Sequence, residues 1–326
     1  MAVSFAAFGA LALAAMLLAP LVGSTPISLS RVFDRSIPFA DNVDAQIFFV
    51  ARLPRVLAAA LVGAALALAG VVFQALLRNP LASPDTLGVS AGAALGAVLA
   101  ITFNADFTLL GVTAVPLASF AGSIGALIIV YGLSAARRRG TSTLVLLLAG
   151  VTLTSLLSAI SAFVRYLADF TETIRTVRWL MGSLDVGAFT PIAVAIVPMG
   201  MAMMGFAMLP RVLDLISMGA DAAAARGVDV ARAERVALVS ASLATGSAVA
   251  LAGPIGFVGI VVPHLVRLLV GADHRVVLPA SALFGASFLI ACDLIARIVF
   301  VTEVPVGVVT ALIGGPFFLW LLFRHA

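Results

Sequence analysis

The 326-residue sequence contains no lysine, one cysteine, three histidines, two tryptophans and two tyrosines. Charge of either sign is scarce: 19 basic side chains, all arginine, and 15 acidic ones make up 10% of the chain. A soluble domain carries about 25% charged residues, because its surface must be hydrated. This chain cannot clothe itself in such a surface. The lone Cys292 excludes an internal disulfide and any multi-cysteine metal site. His264, His274 and His325 stand far apart, which argues against a metal centre built from this chain alone. The net charge of +4 does not point to nucleic acid, because the arginines are spread along the whole chain between apolar runs.

What fills the chain instead is apolar: 63% of its residues are hydrophobic. A helix needs roughly 20 apolar residues to cross about 30 Å of hydrocarbon, and the sequence repeats that unit many times. Only helices or closed barrels satisfy their backbone in lipid. Barrel strands alternate apolar and polar residues; here the runs are continuous, which predicts an all-α polytopic membrane protein. Ten spans are expected, at roughly 3–23, 53–77, 86–104, 108–135, 143–165, 189–209, 234–252, 255–270, 276–299 and 304–323. They are read as one transmembrane domain over 1–326. The apolar N-terminus lacks the basic region and short apolar core of a signal peptide, so it is read as a retained first span. Gly253-Pro254 opens the short eighth segment and predicts an irregular turn within the protein.

Arginine sets the expected orientation. With both termini in the cytoplasm, that side receives Arg78, the triplet Arg137-Arg138-Arg139, Arg211, Arg226, Arg232, Arg235, Arg267, Arg275 and Arg324. The outer side receives Arg31, Arg35, Arg52, Arg55, Arg165, Arg175, Arg178 and Arg297. Glycines at 88, 92 and 96, and at 63 and 70, each fall on one helix face and predict close helix contacts.

Four stretches carry functional signals. The longest internal polar segment, 211–235, holds Asp221-Ala222-Ala223, then Arg226 and Gly227. Alanine favours helix, an acid suits the start and glycine suits the end. It is either an ordinary connection or a docking helix for a soluble partner. Next, Arg52-Leu53-Pro54-Arg55 opens the second span; its arginines either reach the headgroups or form a socket for an acidic external partner. Residues 253–270 combine spaced glycines with two prolines and read as a helix packed deep in protein, with His264 a structural residue or a ligand. Finally, Asp293 and Arg297, one turn apart, read as a self-stabilising pair, a proton relay being the alternative.

Together these stretches resemble the FecCD family of ABC importer permeases, whose members carry iron–siderophore complexes, haem and cobalamin. The resemblance runs from Arg52 to Arg324 and is carried by 52–55, 79–84, 253–267, 273–279 and 304–310. The 221–227 stretch resembles the EAA-x3-G docking loop of such permeases, with Asp221 in place of the usual Glu. The resemblance implies a type II importer fold of ten helices, working as a homodimer in the bacterial inner membrane. Two ATPase subunits dock below and a periplasmic binding protein docks above. It implies ATPase coupling through Asp221, Ala222, Ala223, Arg226 and Gly227, and binding-protein docking at Arg52, Arg55 and Arg297. It also implies a cytoplasmic gate at Asn79, Leu81, Thr143 and Leu144. Arg175 and Arg178 are candidates for the translocation path, or structural partners of Asp169, Glu172 and Asp185. No phosphate loop of the Gly-x4-Gly-Lys-Ser/Thr type occurs. The chain is therefore expected to bind no cofactor and to be no enzyme, with Mg-ATP held by the partner. An iron chelate or haem is the expected substrate, with cobalamin as the alternative. An ion-driven secondary transporter is the competing class; it predicts paired acids at mid-span, whereas here acids lie at span ends.

Overall fold

Each of the ten apolar segments forms a helix in the computed structural model, which describes residues 2–135, 143–299 and 302–325. α1 (Ala2–Leu18) ends in a 3-10 turn. Two short helices follow, α2 (Leu29–Val32) and α3 (Val43–Gln46), and a π-helical turn over Ile47–Arg52 runs into α4 (Leu53–Leu76). After a 3-10 turn (Pro84–Leu87) comes α5 (Val89–Thr102). A hairpin of β1 (Thr108–Leu109) and β2 (Val112–Thr113) precedes α6 (Ala114–Ala135). Then come α7 (Thr143–Leu167), α8 (Phe170–Leu180) and α9 (Thr190–Met208). The polar segment forms α10 (Pro210–Ser217) and α11 (Ala220–Ala224). α12 (Val230–Ala252), α13 (Val258–Val270), α14 (His274–Ile298) and α15 (Val306–His325) complete the chain.

Six of these helical stretches are long and apolar enough to cross a membrane: Val43–Leu76, Ala114–Gly132, Val145–Leu167, Thr190–Met208, Val230–Ala252 and His274–Ile298. Four others, Phe5–Leu21, Val89–Thr102, Val258–Val270 and Val306–Trp320, are apolar but shorter. A 13-residue helix such as α13 rises about 20 Å, less than the roughly 30 Å of hydrocarbon. Length therefore carries six crossings, and ten remains an expectation.

The predicted boundaries shift where backbone conformation intervenes. Residues 108–113 were expected inside a span but form the hairpin. Leu110 (φ 55°) and Gly111 (φ 76°) supply the two positive φ angles of a type I′ turn. Gly88 does not share a face with Gly92 and Gly96: at φ 79° it caps α5 from outside the helix.

α4 is the central pillar. In its most apolar window 83% of residues are buried, against 28% for α6, α7 and α9, so α4 is sheathed by protein and those three form the periphery. α12, α13 and α14 pack around α4. Contact is closest where neither helix carries a side chain: a Cβ on Gly63 would lie 2.2 Å from the carbonyl oxygen of Gly285. On α5, a Cβ on Gly92 would lie 2.4 Å from the carbonyl oxygen of Gly122 on α6. The glycine faces thus serve packing within the subunit.

The irregular turn falls between α12 and α13. Gly253 (φ 70°) and Phe257 (φ 68°) interrupt the helical path, and Ser183 N–H donates to the freed carbonyl of Ala252 at 2.7 Å. Non-helical backbone at this depth is tolerated because protein covers and satisfies it. α10, α11 and the start of α12 enclose a separate small hydrophobic cluster, Ile216, Ala223 and Ala233, apart from the main core.

Candidate functional site

At the N-terminal end of α4 the three expected docking arginines lie together, but none stands free. Arg55 Nε donates to Asp293 Oδ1 at 2.8 Å, and its Nη1 donates to Glu303 Oε2 at 3.1 Å. Arg297 Nε lies 3.0 Å from Asp293 Oδ2, off the direction of a good hydrogen bond. Arg52 is 5% exposed and clamps the turn after α1, donating to the carbonyls of Pro20 and Leu21 at 3.2 Å and to that of Thr25. Gly23 leaves room for it: a Cβ there would meet Arg52 Nη2 at 2.6 Å. Reaching for headgroups is thus not what Arg52 does. The π turn before α4 presents Arg52 to this clamp, and such turns recur at functional positions. The cluster holds three guanidiniums against two carboxylates. Asp293 is 1% exposed, whereas the Glu303 side chain is 59% exposed. The i,i+4 pair read from the sequence exists, but Asp293 shares its charge with a second arginine 238 residues away in the chain.

At the other end of α4 the chain reverses in a Schellman motif. Asn79 N–H donates to Gln74 O at 3.1 Å and Arg78 N–H to Ala75 O at 3.3 Å. Arg78 occupies the left-handed position usually filled by glycine, at φ 47°. Asn79 Oδ1 then accepts from Leu81 N at 2.9 Å, fixing a tight turn that leaves Leu81 42% exposed. Thr143 and Leu144 open α7, but the positions of their side chains, like the arginine triplet, fall outside the described residues.

The 221–227 stretch has the local structure its composition suggests. α11 ends in a second Schellman motif: Val228 N–H donates to Ala223 O at 3.1 Å and Gly227 N–H to Ala224 O at 2.9 Å, with Gly227 at φ 81°. A Cβ on Gly227 would meet nothing within 4 Å, so the position needs glycine for its backbone angle and not for space. Ala223 is fully buried and Ala222 half-buried, while Asp221 and Arg226 are exposed. Arg226 Nη1 lies 3.8 Å from Met218 Sδ.

Two polar ties that composition does not reveal join this segment to the bundle. Asp214 of α10 accepts from the backbone N–H of His274 at 3.0 Å, and its Oδ1 is 2.6 Å from His274 Nδ1, so it caps α14. Inside the bundle, Gln74 Nε2 donates to Gly259 O at 3.1 Å and its oxygen accepts from Arg267, tying α4 to α13. His264 packs edge-on against Phe317, with ring centroids 6.5 Å apart.

Arg175 and Arg178 lie on α8 and line a cavity of about 520 Å³ with Trp179 and Asp185. Of their expected structural partners, Glu172 hydrogen-bonds Asn104 at 3.1 Å. That bond, with a lesser attraction from Arg175, holds the Glu172 carboxyl below its ordinary value.

Comparison with known proteins places this architecture. The chain is 46% identical over 281 residues to the cobalamin import system permease protein BtuC of Halobacterium salinarum, covering 83% of this chain and 72% of that protein. It is 41% identical to the hemin transport system permease protein HmuU of Yersinia pestis, covering 84% and 82%. A solved metal-chelate type ABC transporter in an inward-facing conformation superposes with a TM-score of 0.85 at 34% identity over 98% of each chain. The FecCD transport family model matches residues 11–324, and the chain is a multi-pass ABC importer permease belonging to that family.

Proposed function

We propose that this chain imports an iron chelate, either a ferric siderophore or haem, across the bacterial inner membrane as a homodimer of ten-span subunits with cytoplasmic termini. A soluble ATPase pair binds the Asp221–Gly227 surface, and a periplasmic binding protein engages the outer arginine cluster. The observation that carries the reading is the α10–α11 knuckle. It has its own small core, exposed Asp221 and Arg226 side chains and a glycine-specified stop. It is tied to α14 through Asp214 and borders the loop after α4: a Cβ on Gly219 would lie 3.9 Å from Arg78 Nη1. A displacement of this knuckle would be felt at Arg78, the residue before the Asn79–Leu81 turn. That is the coupling an ATP-driven rigid-body switch needs. Mg-ATP stays on the partner; this chain supplies no phosphate loop.

At the outer face the three guanidiniums exceed the two carboxylates, and the exposed Glu303 is the group a partner's acid would displace from Arg55. Such complementary charge steers docking and fixes register. Arg175 and Arg178 are cations available to an anionic ligand entering from that side. Cobalamin is the second reading, favoured by the identity to the archaeal cobalamin permease.

Proteoliposomes containing the permease, its ATPase and its binding protein test the proposal by side-by-side uptake of haem, a ferric siderophore panel and cobalamin. Uptake of an iron ligand that requires ATP and all three components is expected. Uptake of cobalamin alone would transfer the assignment to the second reading. Uptake driven by an ion gradient without the ATPase would overturn both.

A further inference from the structure

Two neighbouring cavities lie where the start of α6, the start of α9 and the end of α12 meet, and they share a wall. One is a groove of about 760 Å³, apolar except for the hydroxyls of Thr190 and Ser247. The other is the polar cavity of about 520 Å³ that holds Arg175, Arg178, Trp179 and Asp185. Val112, Pro116, Pro191, Ala250 and Leu251 line both, so an apolar shaft adjoins a charged mouth.

The dimensions and charges of this space fit one class of ligand. From Thr190 to Met201 the α9 wall of the groove rises about 17 Å, close to one leaflet of a roughly 30 Å hydrocarbon core. Trp179 lines the mouth, and tryptophan settles at the headgroup level. Arg175 and Arg178 are three residues apart on α8, so they share a face, and both are exposed. Among the described residues neither forms a hydrogen bond or ion pair. Arg175 and Arg178 share the mouth with Asp185, and Arg175 is drawn only weakly to Glu172, which is held by Asn104. Guanidiniums bind phosphate with directed, charge-assisted hydrogen bonds.

We propose that this space binds one anionic phospholipid of the outer leaflet, its acyl chain in the α6–α9–α12 groove and its phosphate on Arg175 and Arg178. The assignment rests on α6, α9 and α12 being membrane helices with α8 on the outer side, and not on which substrate is carried.

Native mass spectrometry of delipidated protein tests it. Phosphatidylglycerol and phosphatidylethanolamine are added in turn, and glycerol phosphate supplies the headgroup chemistry without a chain. Phosphatidylglycerol should be retained at least about fivefold over phosphatidylethanolamine: both offer the same phosphate to the arginines, and the ammonium of the second cancels its charge, a difference worth about 1 kcal/mol at an exposed site. The double variant Arg175→Gln/Arg178→Gln should lose that preference. Ala193→Trp, which fills the groove from an exposed position, should lose both lipids. Unchanged retention in either variant would overturn the proposal. Glycerol phosphate competing as well as the lipid would make this an anion site only. Disulfide formation between two copies carrying Ala193→Cys would put a second subunit in the groove and also overturn it. An arginine variant that keeps its lipid but loses uptake would assign the cations to the transported ligand. Unfolding temperature in detergent shows whether each variant folds.

Discussion

Asp293 is the residue on which the arginine cluster turns. It is buried, touches Arg55 and Arg297 together, and is the only carboxylate in the cluster that water does not reach. Asp293→Asn leaves the buried Arg297 without a carboxylate and Arg55 with Glu303 alone, and removing one member of a buried pair costs about 3–5 kcal/mol. Glu303 is mostly exposed, and losing an exposed partner costs about 1 kcal/mol or less. Thermal unfolding in detergent should therefore show a large loss for Asp293→Asn and a small one for Glu303→Gln. Equal losses would mean that Glu303 is covered in the working protein. At this scale the sequence was only partly legible. The spacing of Asp293 and Arg297 exposed one pair, but nothing local connects either residue to Arg55, because that contact is made by two helices closing on each other. The Asp214–His274 tie was hidden for the same reason: Asp214 lay in the polar 211–235 segment and His274 between two spans, and their meeting is a property of the packed bundle.

Among the elements, α11 with its stop at Gly227 gives the sharpest test. Gly227→Ala keeps every contact but forces a side chain into the left-handed region, at about 1–2 kcal/mol. Gly227→Pro cannot adopt the angle at all. The alanine variant should retain reduced ATP-coupled uptake and the proline variant none, with both keeping the bundle's helical circular dichroism. Normal uptake by the proline variant would remove α11 from the coupling role. Elements were the most legible level of this chain. Long apolar runs bounded by proline, glycine and arginine mark helices because lipid leaves the backbone no other arrangement. The errors lie where that constraint lapses. The β1–β2 hairpin was absorbed into a span because its residues are as apolar as the helix after it. The division of 211–235 into α10, α11 and the start of α12 depends on the positive φ at Gly219 and Gly227. Only the second of these glycines stood out in the sequence.

For the whole molecule, orientation is the property to measure. With a cytoplasmic N-terminus, Phe107→Cys beside the β1–β2 hairpin should react with an impermeant maleimide added outside intact cells. Met218→Cys between α10 and α11 should react only after the membrane is broken; both sites are exposed, and the native Cys292 is buried. The reverse pattern would invert the assignment of both faces. α14 bears on this two-sidedness. Asp214 grips its first turn and Asp293 holds the arginines near its last, about 28 Å apart at roughly 1.5 Å per residue. The helix is therefore a lever with a handle on each side of the membrane. A pivot of about 4° at one handle swings the other by about 2 Å, the size of shift that repacks an interface. A push on the knuckle and a push on the arginines would thus act on opposite ends of one helix, with Pro279 about one turn in from the Asp214 end.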